Sequence, residues 1–161
     1  MTDTMHPGGQ GKGTADCVEV CAVEVGGARF GIPIAHIVEI LGLMSPQPVP
    51  RSPDFVGGLV HYRGDVLTAV SARQLLGMPP LRVPHAVLVL EGPAGCFGVQ
   101  VDVVKEVLMI PGSAFEPNPC TLEDRHKSLF AGAYKLGDGL LVMLDPARLD
   151  PILLAGHATA A

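Results

Sequence analysis

The chain has no tryptophan, only two tyrosines and five phenylalanines, and charged residues make up just 17% of its 161 positions. So few aromatics leave little for stacking on nucleic-acid bases. A net charge of −5 lacks the concentrated basic face that phosphate binding needs. The first twenty residues hold no apolar signal-peptide core, and no run approaches the roughly 18 apolar residues of a membrane span. A cytoplasmic protein with no direct membrane insertion is the expectation. The chain also lacks a Gly-x-Ser-x-Gly elbow and a His-Glu-x-x-His pair, and its six histidines are scattered singly. No catalytic set emerges, so the expectation is a protein that is not an enzyme.

Cys17, Cys21, Cys96 and Cys120 are too few and too dispersed for a zinc site, since Cys17-x-x-x-Cys21 has no second ligand pair nearby. They are expected to be reduced thiols, without metal or other cofactor. The motif-like Gly9-Gln10-Gly11-Lys12-Gly13-Thr14 lacks the adjacent Gly-Lys-Thr and the flanking strand and helix of a phosphate loop. Residues 1–16 read as a disordered tail, and the run Glu123-Asp124-Arg125-His126-Lys127 reads as a solvated loop.

What is abundant is apolar, at 48% of the chain. With so little charge to cover the surface, some apolar area should stay exposed, as partner sites do. From Val18 the pattern is β: short β-branched runs are punctuated by Gly26-Gly27, which supplies a tight hairpin, and by Pro33, which ends or edges a strand. Prolines 46, 48, 50 and 53 make Leu43 to Pro53 a loop, with Ser52-Pro53 opening a short turn. Leu59 to Tyr62 and Val66 to Val70 form a hairpin around Arg63-Gly64-Asp65. Ser71 caps a short helix ending at Gly77, and the proline-rich run Met78 to Pro84 divides the chain. Asp145-Pro146 opens a C-terminal helix over 146–155, with 156–161 a tail.

The second half repeats the first. FGIPIAHIVEIL at 30–41 aligns without a gap to FGVQVDVVKEVL at 97–108. Upstream, Ala22 to Val25 is answered by Val87 to Leu90, and downstream Phe55-x-Gly57 by Phe130-x-Gly132. A period near 67–75 residues is too long for a solenoid. It points instead to a mainly β fold of two pseudo-symmetric five-stranded units, each closing its edges as a small barrel, with halves near 17–80 and 84–145.

Two charges stand out. Glu39 lies inside the apolar run Ile37-Val38-Glu39-Ile40-Leu41, where a carboxylate is costly unless exposed or paired, and Glu106 is its repeat mate. The sequence leaves an ordinary solvent-facing position and a paired one both open. Arg63 follows the apolar Leu59 to Tyr62 run, and either backbone carbonyls or a partner carboxylate would satisfy its fork.

Three motifs in order resemble the CheW-like family of chemotaxis coupling proteins. Phe30-Gly31-Ile32-Pro33-Ile34-Ala35-His36-Ile37-Val38-Glu39-Ile40 is similar to the family's opening hairpin. Pro50 through Pro53 and Phe55 to Gly58 match its Pro-x-x-Pro-x-Phe-x-x-Gly segment, and Arg63-Gly64 its Arg-Gly pair. The resemblance covers residues 17–155. It implies two SH3-like barrels with a C-terminal helix in a single domain, and a non-enzymatic adaptor in a two-component system. That adaptor would bridge the cytoplasmic tips of chemoreceptors to the regulatory domain of a CheA-type histidine kinase, in arrays at the inner membrane. It also implies coupling roles for Ile37, Glu39, Gly58 and Arg63. Val107, from the other half, is added as an apolar contact because a receptor helix held between barrels needs both walls. Departures are Thr68-Ala69-Val70-Ser71-Ala72 in place of the usual Pro-Val-Ile-Asp-Leu, His61-Tyr62 before Arg63, and Pro33 in the first edge. The competing reading is a β-barrel that binds a small ligand or RNA.

Overall fold

The computed structural model describes residues 16–80, 85–119 and 128–160. Residues 1–15 of the expected tail, Cys120 and the charge run 123–127 lie outside the described residues. In chain order the strands are β1 (Cys17–Val25), β2 (Ala28–Pro33), β3 (Ile37–Met44), β4 (Val56–Tyr62), β5 (Asp65–Ser71), β6 (His85–Gly92), β7 (Gly95–Val101), β8 (Val103–Pro111), β9 (Phe115–Glu116), β10 (Phe130–Leu136) and β11 (Gly139–Leu144). Helix α1 (Ala72–Leu75) follows β5, and α2 (Pro151–Ala160) closes the described chain.

Local chemistry explains most of these boundaries. Gly26 and Gly27 turn the first hairpin with φ of 61° and 82°, the pair of positive angles that a two-residue loop between twisted strands requires. Pro33 ends β2, and the chain leaves the ladder through a 3-10 turn at Ile34–His36. The Ser71 hydroxyl accepts the Gln74 N–H and caps α1. Two Asp-Pro pairs shape the C-terminus. Asp145-Pro146 opens only one 3-10 turn, Pro146–Arg148, and Asp150 Oδ1 accepts the Ile152 N–H at 2.8 Å to start α2. The helix expected over 146–155 is therefore displaced to 151–160, because the second Asp-Pro recapped the chain.

The strands form two sheets, six-stranded in the order β8-β1-β2-β11-β10-β9 and five-stranded in the order β3-β6-β7-β5-β4. The duplicated architecture is present, with the two-residue β9 as an extra strand. The sequence halves 17–80 and 84–145 are not the two barrels, however. β3 of the first half pairs with β6 of the second, and β8 of the second half pairs with β1 of the first. Parallel pairs β2–β11 and β5–β7 complete the exchange. Each half thus donates strands to both sheets.

Register also corrects two of the internal matches. Phe30 pairs with Val23 and Phe97 with Leu90, so Val23 answers Leu90 rather than Leu88. Val56-x-Gly58, not Phe55-x-Gly57, is the partner of Phe130-x-Gly132, since both segments carry a bulge of the same form. Gly58 and Gly132 sit there with φ of 145° and 139°. A Cβ on Gly58 would lie 2.6 Å from the Gln47 carbonyl oxygen, and one on Gly132 would lie 2.7 Å from that of Glu116. At the first seam Gln47 and Leu59 exchange two N–H···O bonds of 2.8 Å, and at the second β9 pairs with β10. These contacts close the rolled sheets, and only glycine lets the crossing strands approach so closely.

The core has three parts. Val60, Leu67, Ala69, Val87 and Val89 fill the five-stranded barrel. Val20, Ile110, Tyr134, Leu141 and Met143 fill the six-stranded one. Between them lies the largest cluster, with Val23, Ile32, Leu88, Leu90, Phe97, Val99 and Leu144 drawn from both sheets. On β6, Val87 and Val89 point into one barrel while Leu88 and Leu90 point into the shared layer, so alternation buries both faces.

Candidate functional site

Sheet closure brings the end of β4 beside β3. Glu39 Oε1 accepts hydrogen bonds from the Tyr62 hydroxyl at 2.9 Å and from Arg63 NH2 at 2.8 Å. The Tyr62 ring packs on the barrel core beneath, which fixes its hydroxyl under the carboxylate. Arg63 lies over that ring, 5.4 Å from the centroid, in cation–π geometry. The Tyr62 hydroxyl and then the Arg63 guanidinium hold the Glu39 carboxyl below its ordinary range. Burial, and then the bond to Glu39, pushes the Tyr62 phenol up. Hydrogen bonding to Glu39 raises the Arg63 pKa as well, so the pair is ionised at neutral pH.

Arg63 occupies an unusual backbone position. Its φ is 50°, followed by 86° at Gly64, in the two-residue turn between Tyr62 and Asp65. A long side chain there costs roughly 1–2 kcal/mol that glycine or asparagine would avoid. The arginine is held in a conformation that does not favour it, and its side chain is three-quarters exposed.

Among the described residues the cluster has no counterpart on the other barrel. Tyr62 opposes Asp65 across one hairpin and Leu136 opposes Gly139 across the other, so Leu136 and Gly137 occupy the places of Tyr62 and Arg63. Glu106, the repeat mate of Glu39, is an exposed residue of β8. A contact needed merely to close a barrel would recur in both; this one does not.

The strands β3 and β8 carry exposed apolar side chains. Val38 and Ile40 flank Glu39 with 48% and 42% exposure, and Leu43 is further out along β3. On β8, at the end of the other sheet, Val103, Val107 and Met109 are exposed. Of the residues picked out in the sequence, the structure thus joins Glu39 to Arg63 and places Val107 on an exposed apolar strand. Ile37 starts β3, half-buried against the shared core. Gly58 is buried beneath Pro46 and Gln47 of its own chain. The sequence reading passed over Tyr62 as a partner, although its place beside Arg63 was a signal that could have been used.

Sequence reasoning also missed a second polar cluster. Arg73, on α1, binds Asp102 through Nε to Oδ1 at 2.9 Å and NH2 to Oδ2 at 2.8 Å. Asp102 Oδ2 also accepts the Gly26 N–H at 2.8 Å, and Arg73 NH1 donates to the Pro79 carbonyl. Asp102 lies between β7 and β8, so this carboxylate ties the helix of one sheet to the first hairpin of the other. Among the thiols, Cys21 is buried in the shared core, and burial raises its pKa. No cluster of three or more His, Cys, Asp or Glu side chains suited to a metal occurs among the described residues, and no described helix is long and apolar enough to cross a membrane.

Comparison with known proteins agrees with this architecture. The family model described as CheW-like domain matches residues 19–150. The chain is 28% identical over 145 residues to the chemotaxis protein CheW of Rhizobium meliloti (strain 1021), covering 89% of this chain and 92% of that protein. It is 29% identical over 103 residues to protein FrzA of Myxococcus xanthus, covering 63% and 64% of the two chains. In fold it is similar to the scaffolding protein TtCheW from Thermoanaerobacter tengcongensis, with a TM-score of 0.75 and 19% identity over 83% of this chain and 92% of that one. The two rolled sheets, the ordered motifs and a family match spanning both sheets lead to one conclusion: this chain belongs to the CheW-like domain family, whose proteins are non-enzymatic scaffolds of chemotaxis.

Proposed function

We propose that this chain couples chemoreceptors of the methyl-accepting type to the regulatory domain of a CheA-type histidine kinase in a cytoplasmic chemosensory array, as a single adaptor domain over residues 17–155. The observation that carries the reading is the Glu39–Tyr62–Arg63 cluster, present on one barrel and absent from its pseudo-symmetric twin. A receptor tip presents amphipathic helices, and such a helix needs an apolar wall with a few charges to set its register. Exposed Val38 and Ile40, next to Glu39 along β3, offer the apolar part of that combination, and the Glu39–Arg63 pair offers the charges. Ile37 and Val107 add apolar surface from β3 and β8, and Gly58 lets β4 close against Gln47.

The test is a pull-down with a receptor tip and a kinase regulatory domain, alongside thermal melts. Wild-type protein should retain both partners. Glu39→Lys and Arg63→Ala should each lose receptor by roughly tenfold or more while melting like the wild type, since charged pairs at interfaces govern register and specificity. Receptor retained at wild-type level by both variants would remove the cluster from the docking surface. Failure of the wild type to bind either partner would remove the coupling role itself.

A further inference from the structure

At the far end of β4 from Arg63 is a polar cavity that the coupling surface does not use. Its volume is about 180 Å³, and its lining includes Asp54, Gly57, Ser71, Gln74, Pro80 and Gln100. Val56, on its wall, is separated from Tyr62 by six strand steps of about 3.3 Å each, so the two sites lie roughly 20 Å apart.

Gln100 is the unusual member. Its residue is only 7% exposed, yet its side-chain amide makes no hydrogen bond among the described residues. Buried amides are nearly always paired, because the unmade bond is expensive. The neighbouring β7 positions are Val99 and Val101, and a valine at 100 would keep the strand's β-branched character. The amide lies against Gly57, where a Cβ would overlap Oε1 and fall 2.6 Å from the Gln100 Cδ. Glycine at 57 thus gives this amide its place in the cavity.

The other groups define what would complete it. Ser71 Oγ accepts only the Gln74 N–H, at 3.3 Å, and keeps a second lone pair. Among the described residues, Asp54 is the only charged one in the lining. Arg73, next to Gln74, is turned away and bound to Asp102 and the Pro79 carbonyl, so it does not neutralise Asp54. The cavity therefore combines the Gln100 and Ser71 oxygens with a carboxylate that has no cationic partner among the described residues. An anion would meet Asp54 unfavourably. A planar cation with several donors can meet separate acceptors at once, whereas an ammonium presents its donors from one point.

We propose that this cavity is a binding site for a single guanidinium group, offered as an arginine side chain of a partner protein. The same chemistry could arrive on a free small molecule, and the choice of probe separates the two.

The experiment follows the Gln100 side-chain amide and the Gly57 backbone amide by ¹H–¹⁵N NMR in the full chain. The titrants are N-acetyl-arginine amide, methylguanidinium, N-acetyl-citrulline amide and N-acetyl-lysine amide. N-acetyl-arginine amide should shift both resonances saturably and at least tenfold more tightly than citrulline, its uncharged isostere, or lysine. It should also bind more tightly than methylguanidinium if the flanking peptide bonds take part; the reverse order overturns the partner side chain and leaves a free guanidinium ligand. Asp54→Asn, on an exposed residue, should weaken binding tenfold or more without changing the fold. Gln100→Val should abolish binding and raise the melting temperature, because it removes the unmet amide. Arg63→Ala should bind the probe like the wild type. Equal binding of citrulline or lysine, or no shift with any titrant, overturns the proposal.

Discussion

Arg73 grips Asp102 through two parallel hydrogen bonds of 2.9 and 2.8 Å, 29 residues apart in the chain and largely shielded from solvent. Asp102 Oδ2 also takes the Gly26 N–H, so one carboxylate organises groups from both sheets. Asp102→Ala should destabilise the fold by about 1–3 kcal/mol, leaving a guanidinium and a turn N–H without their acceptor. Urea unfolding checks this. Asp102→Asn should recover part of the loss, because its oxygen can still accept.

The closure glycines give a symmetric prediction. Gly58→Ala and Gly132→Ala each place a Cβ against a carbonyl oxygen at 2.6–2.7 Å, in a backbone region that L-residues avoid. Each should cost about 2–4 kcal/mol in chemical unfolding. Gly27→Ala, whose Cβ would meet open space, should cost less despite its positive φ.

Arg63→Gly separates stability from coupling. Glycine suits the left-handed turn position that arginine occupies with φ of 50°. The variant should melt at or above the wild-type temperature while receptor retention falls roughly tenfold. A melting temperature that drops sharply would show that the ion pair outweighs the backbone cost.

The Glu39 carboxyl should titrate below the usual carboxylate range in ¹³C NMR, held down first by Tyr62 and then by Arg63. Because its folded pKa is depressed, its contribution is complete above the unfolded value of about 4.3 and is lost as pH falls through the folded pKa. Tyr62→Phe should move the titration upward. A midpoint unchanged by Tyr62→Phe would mean that the hydroxyl does not bind the carboxylate in solution.

Legibility divides along physical lines. Hairpins, proline strand ends and the α1 cap are short-range effects, and Gly26-Gly27, Pro33 and Ser71 disclosed them directly. Asp145-Pro146 misled because two Asp-Pro pairs compete, and the one at 150–151 wins the helix. The pair Glu39–Arg63 was visible as two notable charges, but not as a contact. Tyr62, the third member, looked like a departure from a motif rather than a partner.

By itself the sequence determined the strand content, the duplication, the scarcity of surface charge and the ordered motifs of the family, since each follows from alternation, turn chemistry or residue identity over a few positions. The tertiary structure alone decided that β3 and β8 change sheets, that Gly58 closes a seam, and that Arg73 finds Asp102. It also decided that the Gln100 side-chain amide is buried without a hydrogen bond among the described residues. Those outcomes depend on which strands lie side by side, and one pattern of alternating residues is compatible with several pairings. Packing of the shared core selects among them, and it selects all its contacts together.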